Sequence, residues 1–192
     1  MASACFCIAA KCYSQRIGSS DISFCADNSF DGRELMSVEN AILCQLDWKL
    51  AFPVVLDFVL AYAKVLGVHE NNQLAWMMRY FSELALQTPV YLAYLPSMIG
   101  ASVVVLSSFC LGLEADPWPM SLEEASGYSW NDLEACTVAL CRHLEDVRST
   151  MPDLIMIARR YRKQDRANVA EIAIPSIRSF ATLTAYRQSH AT

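Results

Sequence analysis

The sequence predicts an all-α protein made of two successive helical bundles, the first incomplete with three helices and the second complete with five. Apolar residues recur at helical spacing, and no useful length of the chain alternates as a β-strand does. The 192 residues include only 6 Gly and 7 Pro, fewer than the tight turns of an all-β protein need. Hydrophobic residues make up 54% and charged residues 18%, so there is enough apolar surface for two cores.

The first bundle is predicted to hold three helices. Residues 2–13 form a short apolar helix and residues 19–26 a small one. Asp31, with Glu34 three residues later, predicts the N-cap of a third helix that runs to about residue 46. Glu39 is expected to face outward from this helix. Four positions at helical spacing are expected to form its core: Leu35, Val38, Ile42 and Leu46.

A hinge is predicted at residues 48–53, between the first bundle and the second. In the second bundle, Ser129 and Asp132 are predicted to form the capping box of the last helix. The helical order of this bundle matches that of the first one if the first lacks its two leading helices. A final helix is predicted from Pro152 to a point before Pro175. The five helices of the second bundle are expected at about 54–66, 72–87, 93–112, 121–126 and 130–149, and the domain divisions at 1–50, 51–150 and 151–192.

The uncharged stretch 84–113 is long enough to span a membrane. Pro89, Pro96 and Gly100 interrupt it, and no cluster of Lys or Arg flanks either end. A helix that is apolar all round is otherwise the buried central helix of a bundle. We therefore expect burial and no membrane association.

The composition argues against several function classes. Residues 1–150 hold 17 of the 20 acidic residues, which disfavours a nucleic-acid binder with a basic face. The three histidines, His69, His143 and His190, have no metal-ligand spacing, and the chain has no glycine-rich phosphate loop. We therefore expect no enzyme activity, no cofactor and no metal. Eight cysteines without a C-x-x-C pair indicate a reducing compartment and no disulfide framework.

A basic cluster follows the second bundle, and two interpretations of it stay open. It is either a solvated helix face or a patch for nuclear localisation or phosphate binding. Nucleus and cytoplasm are both compatible with it. Its members are Arg159, Arg160, Arg162, Lys163 and Arg166.

Four segments, in the right order and at fitting spacing, carry a resemblance to a known family. FCIAAKCY (residues 6–13) resembles the third helix of a first cyclin box, and SVENAILCQLDWKLAFP (37–53) resembles the fifth helix with its exit into the second box. YLAYLPSMIGASVVVLS (91–107) resembles the opening of the central helix of the second box, and GYSWNDLEACTVAL (127–140) resembles the start of its last helix. The chain is thus similar to cyclins of the mitotic A/B type, and the resemblance implies tandem cyclin boxes with the first one incomplete.

The resemblance also implies a function. Cyclins of this type bind and activate a cyclin-dependent kinase in cell-cycle control, by repositioning the kinase's C-helix and activation loop. Lys11 matches the cyclin lysine that binds carbonyls near the kinase's C-helix, and Glu39 matches its partner glutamate. The kinase-binding residues that the resemblance implies are Ile8, Lys11, Cys12, Glu39, Leu43 and Leu50.

Some positions depart from the cyclin pattern. Cys12 stands where an aromatic residue usually follows the lysine, and Pro53-Val54 replaces the usual Pro-Thr. The substrate-docking patch and a degradation signal are not recognisable. Two alternatives therefore remain: a cyclin-fold adaptor that binds no kinase, and a non-functional shortened cyclin. The sequence indicates neither which kinase is bound nor the phase of the cell cycle.

Overall fold

The computed structural model describes residues 1–13, 17–87, 90–113, 116–150 and 156–174, which form helices and connecting segments without a β-strand. The chain divides into two compact units, Met1–Phe52 and Pro53–Thr192. The first unit contains α1 (Ala2–Cys12), α2 (Ser19–Cys25) and α3 (Gly32–Gln45). The second contains α4 (Val55–Val65), α5 (Gln73–Ala85), α6 (Val90–Ala93), α7 (Pro96–Cys110), α8 (Met120–Ser126), α9 (Trp130–Thr150) and α10 (Met156–Tyr161).

The start of α3 has the predicted cap. Asp31 Oδ1 accepts hydrogen bonds from the backbone N–H groups of Arg33 (2.7 Å) and Glu34 (2.8 Å). Glu34 Oε2 accepts in return from the Asp31 backbone N–H at 3.0 Å. This reciprocal capping box satisfies donors that the first turn of a helix otherwise leaves unpaired.

The predicted core face of α3 is wrong in three positions. Val38 and Leu46 are 37% and 45% exposed, whereas Glu39, expected outside, is only 6% exposed. The buried face is instead formed by Leu35, Glu39 and the half-buried Ile42, at i, i+4 and i+7. The helix is rotated from the predicted orientation because this face meets the small side chains of α1.

The C-terminus of α3 explains the predicted break in the chain. The backbone N–H of Trp48 donates to the Leu43 carbonyl (2.9 Å), and that of Asp47 donates to the Cys44 carbonyl (3.1 Å). This is the hydrogen-bond pattern of a Schellman motif. It requires left-handed backbone geometry, and Asp47 adopts it with φ 48°.

In the second unit α7 is the central helix, as predicted. Its residues from Ile99 to Ser108 are all buried, and it packs against α4, α5 and α9. Gly100 allows the close approach of α4, because a Cβ atom there would lie 2.9 Å from Phe58 Cβ. Within the described part of the chain, no helix has the length and apolar character that a membrane span requires.

The helix predicted at 93–112 begins at Pro96, three residues later than expected, and the short α6 (Val90–Ala93) precedes it. Pro96 occupies the first turn of α7, where a backbone N–H has no acceptor within the helix, so the proline costs no helical hydrogen bond. The preceding residue, Leu95, is extended with ψ 144°, since the proline ring disfavours a helical conformation before it. The proline therefore starts a new helix.

The long final helix predicted from Pro152 is also wrong over the described residues. The start at residue 152 lies outside them, and α10 ends at Tyr161. Two short 3₁₀-helices follow, Gln164–Arg166 and Val169–Glu171, because Ala167 and Asn168 between them adopt positive φ. This segment packs against α5.

The start of α9 carries the predicted capping box. Ser129 donates to Asp132 Oδ2 from its backbone N–H (2.8 Å) and from its hydroxyl (2.6 Å). These hydrogen bonds lower the pKa of the Asp132 carboxyl.

The loop before α8 is joined to the start of α9 by a hydrogen bond of Trp118. This side chain is fully buried, and its Nε1 donates to the Tyr128 carbonyl at 2.9 Å.

Candidate functional site

Lys11 and Glu39 form an ion pair that joins α1 to α3 in the first unit. Lys11 Nζ lies 2.6 Å from Glu39 Oε2, and the two residues are 28 positions apart in the sequence. The Lys11 side chain is 60% exposed and the Glu39 side chain only 8%. The pair is therefore asymmetric: a buried carboxylate is held by an ammonium group that remains accessible to solvent.

The surroundings of Glu39 are apolar. Its second oxygen, Oε1, is buried and has no hydrogen-bond partner among the described residues. The Cys7 thiol lies beside the carboxylate, and its pKa is raised by burial first and by the neighbouring Glu39 second. Cys7 therefore remains a neutral thiol, and among the described residues Lys11 supplies the countercharge of Glu39.

The close packing of α1 on α3 follows from small side chains on α1. Ala4, Cys7 and Ala10 recur at a spacing of three and are all buried. Small residues let two helix backbones approach, so that the Lys11 ammonium reaches Glu39 on the facing helix. Ala4 and Cys7 form the small core of this unit together with Ile22 and Leu35.

The other residues that the resemblance implies lie on the same unit with different exposures. Ile8 on α1 and Leu43 on α3 are half-buried, each one helical turn from the ion pair. Cys12, next to Lys11, is exposed. Leu50 follows the end of α3 and is 38% exposed. The structure thus places Ile8, Cys12 and Leu43 near the pair, and Leu50 on the segment that leaves α3.

Sequence reasoning identified the two charges but missed the burial of Glu39 and the contact with Cys7. The available signal was the Ala4, Cys7, Ala10 stripe, because three small residues on one helix face predict a closely packed partner helix. A charged residue on the partner face must then be paired, since an unpaired buried charge is costly. Lys11, one turn beyond Cys7, was the available cation.

The exposed side chains of the first unit resemble those of a protein-binding surface. Among the described residues, no group of three or more His, Cys, Asp or Glu side chains is placed to hold a metal ion. In the same unit as the ion pair, α1 and the segments that follow α1 and α3 present large exposed apolar side chains: Phe6, Tyr13, Trp48 and Phe52. Exposed apolar patches rimmed by charge are typical of protein-binding surfaces.

Comparison with known protein families gives matches in both units. Residues 1–51 match the family described as "Cyclin, N-terminal domain", and residues 53–175 match "Cyclin, C-terminal domain". The second match alone covers more than half of the chain. The boundary between the two matches falls next to the boundary between the two compact units.

Individual relatives are cyclins of the A and B types. "Cyclin-A2-1" of Oryza sativa subsp. japonica is 28% identical over 160 residues, covering 82% of this chain and 32% of the relative. "G2/mitotic-specific cyclin-A" of Patella vulgata is 29% identical over 162 residues, covering 84% of this chain and 37% of the relative. "G2/mitotic-specific cyclin-A" of Hydra viridissima is 30% identical over 137 residues, covering 69% of this chain and 32% of the relative.

The chain spans about a third of the length of these curated relatives. The matches to the two cyclin domains confirm the resemblance identified from the four sequence segments. They also confirm the all-helical fold class with tandem cyclin domains. The chain belongs to the cyclin family.

Proposed function

We propose that the chain is a regulatory subunit that binds and activates a cyclin-dependent protein kinase in cell-cycle control. The observation that supports the proposal is the ion pair that joins α1 to α3, in which Glu39 is buried and Lys11 remains exposed. These residues match the two positions at which cyclins anchor the kinase. The relatives named G2/mitotic-specific cyclin-A support a role in cell division, and we place the chain in the nucleus, the cytoplasm or both.

The N–H donors of Lys11 that Glu39 does not use are available to bind a partner. An ammonium group has three donors, and Glu39 takes one of them from Lys11. The remaining donors suit backbone carbonyls at the C-terminal end of a partner helix. Glu39 Oε1 is buried, so a partner does not reach it, and the role of Glu39 is to hold the Lys11 ammonium in position.

The apolar neighbours would supply the area of the interface. The two charges have three less polar neighbours on the same helices. Two of them, Ile8 and Leu43, are half-buried, and the third, Cys12, is exposed. A few polar anchors within desolvated apolar contacts are the usual composition of the energetic centre of an interface. Activation then requires only that the cyclin bind the active kinase conformation more tightly than the inactive one.

Binding to a purified cyclin-dependent kinase tests the proposal with two matched variants. Cys12 and Cys44 are both exposed cysteines on helices of the first unit, but only Cys12 belongs to the proposed interface. Cys12→Arg would bury an unpaired charge against the kinase, so we expect the affinity to fall at least about tenfold. Cys44→Arg should leave it unchanged. Equal effects of the two variants would contradict the interface.

Glu39 needs a gentler substitution than charge reversal, because it is buried. Glu39→Gln keeps the side-chain volume and the hydrogen bond from Lys11 but removes the charge. We expect a loss of kinase affinity per folded molecule, measured by titration after the folded fraction is determined by circular dichroism. If the folded protein binds no member of a panel of cyclin-dependent kinases, the adaptor alternative replaces the proposal.

A further inference from the structure

The second unit contains a groove of about 470 Å³ that has no part in the proposed kinase interface. It lies between α4, α5 and the segment that begins with α10. Its aliphatic lining consists of Val54, Val55, Leu56, Leu60 and Leu86. Its aromatic and charged lining includes Trp76, Arg79, Glu83, Arg160, Tyr161 and Arg166.

The aliphatic part of the groove is open to solvent. Leu56 and Leu60 lie one turn apart on the exposed face of α4, while the buried Val55, which packs into the core, also lines the groove. Leu86, which follows α5, is exposed as well. Clustered aliphatic side chains that remain exposed within a concave surface are suited to receive an apolar side chain.

Trp76 holds two arginines at the edge of the groove. The Arg79 Cζ atom lies 5.1 Å from the centroid of the Trp76 ring, and the Arg166 Cζ atom lies 5.8 Å from it. Arg166 also lies over Tyr161, with its Cζ atom 5.4 Å from that ring centroid. A guanidinium group stacked on a ring keeps its N–H edge available for a carboxylate, and the ring limits its conformational freedom.

The third arginine is already paired. Arg160 Nη1 donates to both oxygens of Glu83, at 2.9 and 3.2 Å, and the Tyr161 hydroxyl donates to Glu83 Oε1 at 2.8 Å. With one glutamate against three arginines, the lining of the groove is positive. The chain as a whole has a net charge of −5, so this positive groove stands out against an acidic protein.

We propose that this groove binds a short peptide segment of a partner protein in which an aliphatic side chain lies close to an aspartate or glutamate. The aliphatic side chain packs against Leu56, Leu60 and Leu86, and the carboxylate meets Arg79 and Arg166. Charge complementarity identifies the occupant, because the aliphatic surface and the two stacked guanidinium groups adjoin in one groove. The Lys11 and Glu39 surface lies in the other unit, so the two binding activities can be lost separately.

Selection from a display library of random ten-residue peptides, with the whole chain as bait, tests the proposal. We expect enrichment of sequences that place Leu, Ile or Val within a few positions of Asp or Glu. A fluorescein-labelled peptide from the selection should bind at least about tenfold more weakly to Arg166→Glu. Arg162→Glu is the matched control, because Arg162 is exposed but does not line the groove.

A charge exchange separates a lost contact from a lost fold. The same peptide with its acidic residue changed to Lys should bind Arg166→Glu more tightly than it binds the unchanged protein. Three results would overturn the proposal: selected peptides without acidic residues, a strict requirement for phosphoserine in place of the carboxylate, and a dimer of the chain that Arg166→Glu dissociates. The last of these would identify a second copy as the occupant.

Discussion

The two units bury their helices to very different extents, although both are rich in apolar residues. In the second unit α7 is enclosed by α4, α5 and α9, and the largest side chains of the core are fully buried. In the first unit the core consists of Ala4, Cys7, Ile22 and Leu35. Several of its large side chains are exposed instead: Phe6, Tyr13, Phe24, Met36, Trp48 and Phe52. Burial of an apolar side chain is thus decided by the number of neighbouring helices, not by local composition.

The units also end their helices differently. In the second unit α4 and α7 end at Gly67 and Gly112, which adopt positive φ without a Cβ penalty. In the first unit α2 and α3 end at Asp27 and Asp47 in the same left-handed region. A side chain in this region costs free energy that glycine does not. The first unit therefore combines a smaller core with strained ends at α2 and α3, whereas α4 and α7 of the second unit end without this strain.

This contrast fits the proposed kinase interface on the first unit. A surface that binds a partner must leave apolar side chains and polar anchors accessible, and such surfaces belong to the less stable parts of proteins. The buried charge of Glu39 adds to the cost of folding the first unit, because desolvation of a carboxylate is repaid only by good pairing. We therefore expect the second unit to be the more stable part of the chain.

The largest effect is expected at Trp118. This side chain is fully buried and its indole N–H satisfies the Tyr128 carbonyl, so Trp118→Ala should destabilise the second unit by about 3–5 kcal/mol. Phe6→Ala in the first unit removes an aromatic ring that is 57% exposed and should change stability by less than about 0.5 kcal/mol. Denaturant unfolding of the two variants checks the difference. Comparable losses would show that Phe6 is buried in solution.

Hydrogen exchange should show the same contrast without any substitution. We expect amides of α7 between residues 99 and 108 to exchange at least about a hundredfold more slowly than those of α1, because α7 opens only with the core of the second unit. Mass spectrometry of peptides from residues 2–30 and 97–112 provides the measurement. Equal protection of the two regions would contradict the picture of a weak first unit.

The sequence predicted most of the fold because the signals were local. The capping boxes at Asp31 and Ser129 and the apolar run of α7 depend on residues within a few positions of each other. The orientation of α3 could not be predicted in this way. Glu39 is buried because α1, far away in the sequence, presents small side chains and a lysine to it.

The charged groove of the second unit could not be predicted from local sequence patterns either. The basic cluster after residue 158 was identified, but its interpretation stayed open. Arg160 binds Glu83, 77 positions earlier, and Arg166 stacks on Trp76, which no spacing in the sequence indicates. Long-range partners of this kind follow only from the fold.

A smaller effect is expected from adding a methyl group to a glycine in each unit. Gly100→Ala places a Cβ atom 2.9 Å from Phe58 Cβ and 3.3 Å from the Val55 carbonyl oxygen, between two packed helices. Overpacking of this kind costs about 1–3 kcal/mol and outweighs the higher helix propensity of Ala. At Gly32 in the first unit, the nearest atom is the Ser19 hydroxyl oxygen, which can rotate away. Thermal unfolding should therefore show a loss for Gly100→Ala and little change for Gly32→Ala.

The smallest effect comes from exchanging the residue types that end α3 and α7. Asp47→Gly relieves a left-handed conformation but makes the unfolded chain more flexible, so we expect a gain of only about 0.5 kcal/mol. Gly112→Asp places a side chain at φ 60° with no atom of another described residue within 4 Å of its Cβ, so we expect a loss of about 1 kcal/mol from the strained backbone. Exchange of the amides in α3 and α7 measures each unit separately. If both substitutions change stability in the same direction, helix-end strain does not distinguish the units, and their difference comes from the cores alone.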